Sequence, residues 1–148
     1  MTDEGRLPST ERLRLSALRA LVLRDVDGAI VLYKELAAGT EADAGSFVDL
    51  GRAQEAAGMR TDARMSYEQA IARDNQYAAA YLRLGRVESS ELRQREALAA
   101  FAKAEELYKA SADVEGQAEV ALERGRALDG FSDLASARKD LERAMACS

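Results

Sequence analysis

The sequence predicts an all-α protein built as a stack of antiparallel helix pairs, and three observations carry that prediction. Composition is the first: one proline in 148 residues, 5% aromatics and abundant Ala, Leu, Arg and Glu favour helix throughout, and no β-branched run suggests a strand. Periodicity is the second. Phe47, Gly51 and Gln54 follow an i, i+4, i+7 spacing, as do Ala63, Tyr67 and Ala70, so each set forms one stripe on a helix. Recurrence is the third: Ala17, Gly51 and Gly85 are 34 residues apart, as are Ala29, Ala63 and Ala97, then Tyr33, Tyr67 and Phe101, then Leu36, Ala70 and Ala104. A fixed period of this length marks a repeat architecture.

In chain order, residues 1–9 read as a disordered leader broken off by Pro8, with Ser9 or Thr10 able to cap the first helix. ERLRLSALRALVLR makes that helix, with Leu13, Ala17 and Ala20 on one stripe; DVDG turns the chain, and GAIVLYKELAAG makes its partner through Ala29, Tyr33 and Leu36. In the second unit Gly58 stops one helix and Thr61 or Asp62 starts the next, and so short a loop forces the two antiparallel. AAAYLRLGRVES opens the third unit and ELRQREALAAFAKAEELYKA closes it. A fourth copy follows after 40 residues, at Gly125, Ala137, Leu141 and Ala144. The six extra residues correspond to about 9 Å of helix, so the second helix of the third unit is expected to protrude by more than one turn. Gly116 falls near the start of a seventh helix that carries Leu122, Gly125 and Leu128. DGFSD then reads as a turn, and LASARKDLERAMA as an eighth helix.

This register resembles the tetratricopeptide-repeat family over residues 10–148, in units of about 10–43, 44–77, 78–117 and 118–148. The bulky first position of the family's signature is Leu13, Phe47, Tyr81 and Ala121, and its Leu-Gly pair stands at Leu50-Gly51 and Leu84-Gly85. Ser16-Ala17 and Arg124-Gly125 depart from the pair. The tyrosine three residues after the glycine is replaced by Ala20, Gln54, Glu88 and Leu128, and the closing proline by Glu41, Asn75 and Lys109. The resemblance implies one domain, a right-handed α-solenoid of four antiparallel helix pairs. Such arrays usually end in a polar capping helix, because each repeat buries itself only against its neighbours. None is visible here, which leaves three readings: a sufficiently polar eighth helix, residues removed beyond Ser148, or a second copy covering the end.

Several functions find no residues to support them. Without histidine there is no imidazole base or ligand and no Ser-His-Asp triad. A lone cysteine, Cys147, excludes CxxC and zinc clusters and reads as an exposed or half-packed thiol in a reducing compartment. The glycines of GQAEVALERGRALDG have the wrong spacing for a phosphate loop and lack Gly-Lys-Ser or Gly-Lys-Thr. DVDG lacks the remaining oxygen ligands of a calcium loop, and Glu105-Glu106 point apart along a helix. A net charge of -5 argues against a nucleic-acid partner. The longest apolar stretch, ALRALVL, is interrupted by Arg19 and is too short to cross a bilayer, and MTDEG is unlike a signal peptide. The expectation is a cytoplasmic protein with no cofactor, no metal and no catalysis.

One pattern points to a binding surface. Arg52, Arg86 and Arg126 each follow a glycine in LGRAQE, LGRVES and RGRALD, on a stripe turned about 100° from the core stripe. Arg14, Leu18, Val48, Leu82 and Leu122 share that stripe. In the family that the chain resembles, this stripe lines the inner face where extended peptides lie, so the eight residues form an expected groove: an arginine ladder beside an apolar row. Guanidinium groups offer a planar fork of donors to carboxylates or phosphates, which suits an acidic protein or peptide. The alternative is solvated surface, with Arg52–Glu55 and Arg126–Asp129 as intrahelical ion pairs, leaving only Arg86 without an acidic residue at i+3 or i+4. The family's lysine-asparagine carboxylate clamp is not matched, because its positions fall at Arg14, Leu18, Asp49, Ala79 and Arg83.

The leading expectation is therefore a non-catalytic protein-protein interaction module that binds a peptide or partner domain. A second reading is a self-assembling module, a homodimer through uncapped ends. A third takes the chain as the regulatory segment of a larger bacterial signalling protein, because LPSTERLRLSALRAL looks like the start of repeat regions attached to bacterial regulators and kinases.

Overall fold

The computed structural model describes residues 7–146. Residues 1–6 of the expected leader, and Cys147, lie outside the described residues. Seven helices and no strand are present among them: α1 (Ser9–Val22), α2 (Val26–Ala38), α3 (Ala44–Ala56), α4 (Arg60–Arg73), α5 (Ala78–Ser90), α6 (Gln94–Ala110) and α7 (Val114–Ala146). Pairs α1/α2, α3/α4 and α5/α6 are hairpins, and each helix also packs on the next in sequence, so the chain forms an all-α solenoid.

Four of the six turns use the same device. Arg24 (φ 61°), Gly58 (φ 77°) and Leu92 (φ 60°), which are 34 residues apart, adopt the left-handed conformation just past α1, α3 and α5; Ala112 (φ 56°) does so past α6. The following residue donates its N–H five positions back: Asp25 to Ala20, Met59 to Gln54, Arg93 to Glu88 and Asp113 to Tyr108, all at 2.8–2.9 Å. This is the Schellman closure, which satisfies carbonyls that the helix end leaves open. Only one of the four positions is glycine, so only Gly58 was visible as a stop. Asp25, Asp43 and Asp113 then cap α2, α3 and α7, accepting the N–H of Gly28, Ser46 and Gly116 at 2.8–2.9 Å. Pro8, Met59, Tyr77 and Arg93 precede the other helices with no side-chain cap, so none of Ser9, Thr10, Thr61 and Asp62 plays the capping part expected of it.

Three core clusters repeat along the stack, each made by one hairpin and closed by the first helix of the next. Ala17, Ala20, Ala29, Ile30, Tyr33 and Leu36 are closed by Leu50 and Ala53 of α3. Phe47, Val48, Ala63, Tyr67 and Ala70 are closed by Ala80 and Val87 of α5. Leu82, Ala97, Phe101 and Ala104 are closed by Val120, Ala127 and Phe131 of α7. Glycine sets the interhelical distance within the second and third hairpins. A Cβ on Gly51 would lie 2.5 Å from the Tyr67 ring, and one on Gly85 would lie 2.7 Å from Phe101.

The fourth pair differs from expectation. DGFSD does not turn: α7 runs unbroken for 33 residues, and the expected eighth helix is its second half. Two physical reasons account for this. Phe131 lies one turn beyond Ala127 on the inner face and is only 8% exposed against the α5/α6 cluster, a burial that a turn at Asp129–Asp133 would disrupt. In addition, Gly130 sits two positions short of residue 132, the place in register with Arg24, Gly58 and Leu92 after the 40-residue step. The six extra residues are also shared rather than confined to one helix. α6 has 17 residues against 14 in α4, and α7 starts four residues ahead of Ala118, the counterpart of Ala78 at the start of α5. Tyr108 seals this longer junction over Gly116, where a Cβ would lie 2.3 Å from its ring.

Candidate partner-binding surface

The odd-numbered helices lie side by side, α3 against α5 and α5 against α7, so side chains on their common edge form one surface across the stack. At its first end, Leu18 and Leu21 of α1, Tyr33 of α2, and Asp49, Arg52 and Ala56 of α3 line a depression of about 230 Å³. Leu18 is half-exposed there, an apolar wall beside a carboxylate and a guanidinium. Burial pushes the Asp49 carboxyl above its ordinary range, while Arg52 and Arg14 pull it back. Burial likewise raises the Tyr33 phenol, with the Asp49 charge adding to it and Arg52 and Arg14 opposing.

Toward the middle, Tyr77 precedes α5 and its phenol is pushed up by burial and then by Asp49 and Asp43, with Arg14 opposing. Arg14 of α1 therefore reaches the field of residues on α3 and before α5. The Tyr108 phenol at the end of α6 is also raised, by burial first and then by Glu119 and Asp113, with Arg83 opposing. Tyr77, Arg83 and Tyr108 are electrostatic neighbours of one another, a grouping that the arginine stripe alone did not single out. Their signal lay in the tertiary neighbourhood of α5 and the α6/α7 junction, which no single-helix period displays.

Each of the three arginines expected to form a ladder has an acidic partner. Arg52 lies 4.0 Å from Asp49 and is 57% exposed; Arg86 lies 3.7 Å from Glu123; Arg126 lies 3.0 Å from the same Glu123 and is 66% exposed. The carboxylates differ from those the helix spacing suggested. Glu55 instead accepts a hydrogen bond from the Tyr67 hydroxyl, and Arg52 and Arg126 each pair three residues back. Arg86, which lacked a partner on its own helix, finds one on α7. One carboxylate thus serves two guanidinium groups, which leaves donors on both for another acceptor.

The apolar row divides. Leu18 and Leu122 are half-exposed and available at the surface, whereas Val48 and Leu82 are only 6% and 2% exposed and belong to the second and third core clusters. Val48 and Leu82 therefore do not line a groove as expected. Each faces inward because the next hairpin's first helix closes over it, an effect of stacking that a single-helix stripe does not reveal. Among the described residues no group of three or more His, Cys, Asp or Glu could hold a metal ion, and no helix is long and apolar enough to cross a membrane.

No family model and no curated protein matches the sequence. Solved structures do match the fold. The TPR2B domain of yeast Sti1 in its pHsp70 complex superposes with a TM-score of 0.76 at 18% identity, over 81% of this chain and 96% of that one. The chain has the tetratricopeptide-repeat fold. The Sgt2 TPR domain from Aspergillus fumigatus matches at a TM-score of 0.76 and 19% identity, over 88% of this chain and 83% of that one. Pseudomonas aeruginosa PcrH matches at 0.75 and 17%, over 86% and 95%. PcrH in complex with the chaperone binding region of PopD matches at 0.67 and 17%, over 93% and 96%. At these identities the likeness is one of architecture.

Proposed function

We propose that residues 10–148 form one non-catalytic interaction domain that holds an extended segment of a partner protein along the edge of α1, α3, α5 and α7. The observation that carries this is the depression between α1 and α3. It joins an apolar wall, Leu18 and Leu21, to the Asp49–Arg52 pair; Arg14 acts on Tyr33 in the same depression, and further along the stack Arg86 and Arg126 share Glu123. A peptide would place an apolar side chain in the depression and its carboxylates along the arginines, with Leu122 offering a second apolar contact. Arg52 and Arg126 are more than half exposed and keep donors free beyond their intrachain carboxylates, so an acidic segment is favoured despite the chain's overall charge. Similar folds are seen in complex with pHsp70 and with a region of PopD, which supports a protein partner of some kind. A cytoplasmic address fits this reading.

An array of extended peptides that vary in net charge and in apolar anchors tests it directly. Wild type is expected to retain acidic peptides that carry a leucine or similar anchor. The Arg52→Glu, Arg86→Glu, Arg126→Glu variant should lose them, and Leu18→Glu should lose the anchor preference. An unchanged binding set in the triple variant overturns the proposal.

A further inference from the structure

α7 carries two apolar faces, and only one of them is covered. Its inner face follows the solenoid register: Val120 and Ala127 lie 40 residues after Ala80 and Val87 and are buried like them. Its outer face, Val114, Ala118, Ala121, Gly125 and Leu128, is exposed along its length. In α3 and α5 the equivalent face holds the glycine against which the second helix of the hairpin lays an aromatic ring sixteen residues on, Tyr67 on Gly51 and Phe101 on Gly85. Gly125 occupies the same place and Leu141 is sixteen residues on. No side chain and no other helix lies within 4 Å of a Cβ built on Gly125, and Leu141 is 63% exposed. The chain carries both halves of a fourth small-large contact and makes neither.

Within one copy the contact is out of reach. Sixteen residues of continuous helix separate Gly125 and Leu141 by about 24 Å along the axis and by about 160° around it. Folding the second half back would break the helix beside Phe131, which is packed into the third core cluster. We propose that the outer face of α7 is a seat for the C-terminal half of α7 from a second copy of this chain, with Leu141 of one copy on Gly125 of the other. The rotation decides the kind of assembly. Seat and insert lie on nearly opposite sides of a straight helix, so two copies cannot exchange both contacts about a twofold axis. Each copy receives on one side and donates on the other, which makes the contact heterologous, building a ring or a filament rather than a twofold dimer. Leu134 and Ala137 flank the insert on the exposed half of the helix, and Ala118 and Ala121 flank the seat. This surface is separate from the partner-binding edge, so the two proposals can fail independently.

Sedimentation velocity with reductant present tests it with two variants that leave the monomer's packing untouched: Gly125→Arg, which blocks the seat, and Leu141→Glu, which blocks the insert. Wild type is expected to grow past dimer with concentration and each variant to stay monomeric. A mixture of the two should give a 1:1 heterodimer and nothing larger, because one intact seat and one intact insert remain. Wild type that stays monomeric or stops at dimer overturns the proposal, as does either variant assembling like wild type or a mixture that remains monomeric. A disulfide provides the second measurement, on a Cys147→Ser background. Gly125→Cys and Leu141→Cys on separate chains should cross-link between chains, whereas an intrachain bond when both are placed on one chain would show the helix folding back and would also overturn it.

Discussion

One substitution placed at two register-equivalent glycines should act with opposite signs. Gly51 and Gly125 both lie within helices and both precede the large residue of their unit by sixteen positions. At Gly51 a new methyl group would sit 2.5 Å from the ring of Tyr67, a side chain that is fully buried and held by its hydroxyl to Glu55. The ring cannot yield without losing that bond, so Gly51→Ala overpacks the α3/α4 interface at a cost of about 1–3 kcal/mol. Replacing a helix-interior glycine by alanine returns about 0.5–1 kcal/mol, leaving a net destabilisation of about 1 kcal/mol. At Gly125 no side chain and no other helix lies within 4 Å of the added carbon, so only the second effect operates and Gly125→Ala should stabilise by about 0.5–1 kcal/mol. Urea denaturation followed by circular dichroism, at a dilution where the chain is monomeric, reads both values. Destabilisation at Gly125 equal to that at Gly51 would refute the reasoning, because it would place a side chain over Gly125 in the monomer.

Other perturbations follow from the turns, the core and the surface. Arg24→Gly and Leu92→Gly each relieve a left-handed backbone position and should stabilise by about 1 kcal/mol, whereas Gly58→Ala should destabilise by about 1–2 kcal/mol; thermal melts of the three variants check the signs. Phe131→Ala removes the aromatic that anchors the second half of α7 and should cost about 3 kcal/mol, with a loss of helical signal larger than one residue explains. Asp49→Asn should stabilise at neutral pH, because burial raises the folded-state pKa of Asp49 and so penalises its ionised form. A raised carboxyl gives its full stabilisation below the unfolded value and loses it as pH rises through the folded one. The gap between wild type and Asp49→Asn should therefore close as pH falls below about 4, and a gap that widens there would contradict the assignment.

The repeat register was legible because its signal is local. A small residue opposite a large one sixteen positions on is written in the chain at Ala17/Tyr33, Gly51/Tyr67 and Gly85/Phe101, and in the latter two the structure closes on it with a ring against a missing Cβ. The turns were half legible. Gly58 announces a left-handed residue, but Arg24 and Leu92 adopt the same conformation without the composition that marks it, because the hairpin's packing enforces it. The candidate surface was legible as a stripe and not as a set of partners. Helix spacing pointed to Glu55 and Asp129, while stacking brought Glu123 to Arg86 from another helix and turned Val48 and Leu82 inward.

The fourth unit is where local reading gave way, and the reason lies in how a solenoid is held together. In each complete unit the second helix is fixed from two sides, by its own first helix and by the first helix of the following unit, as α4 is by α3 and α5. For residues 132–146 the competing claim was the burial of Phe131, which requires the helix to continue through the intended turn, and one aromatic in a core outweighs turn propensities of a few tenths of a kcal/mol. The repeat pattern nevertheless remains in the sequence, with Gly125 and Leu141 at their proper separation and both facing solvent. A pattern that one chain encodes and that same chain does not satisfy in this conformation is what the proposed contact with a further copy would complete, Leu141 of one chain supplying what Gly125 of the other lacks.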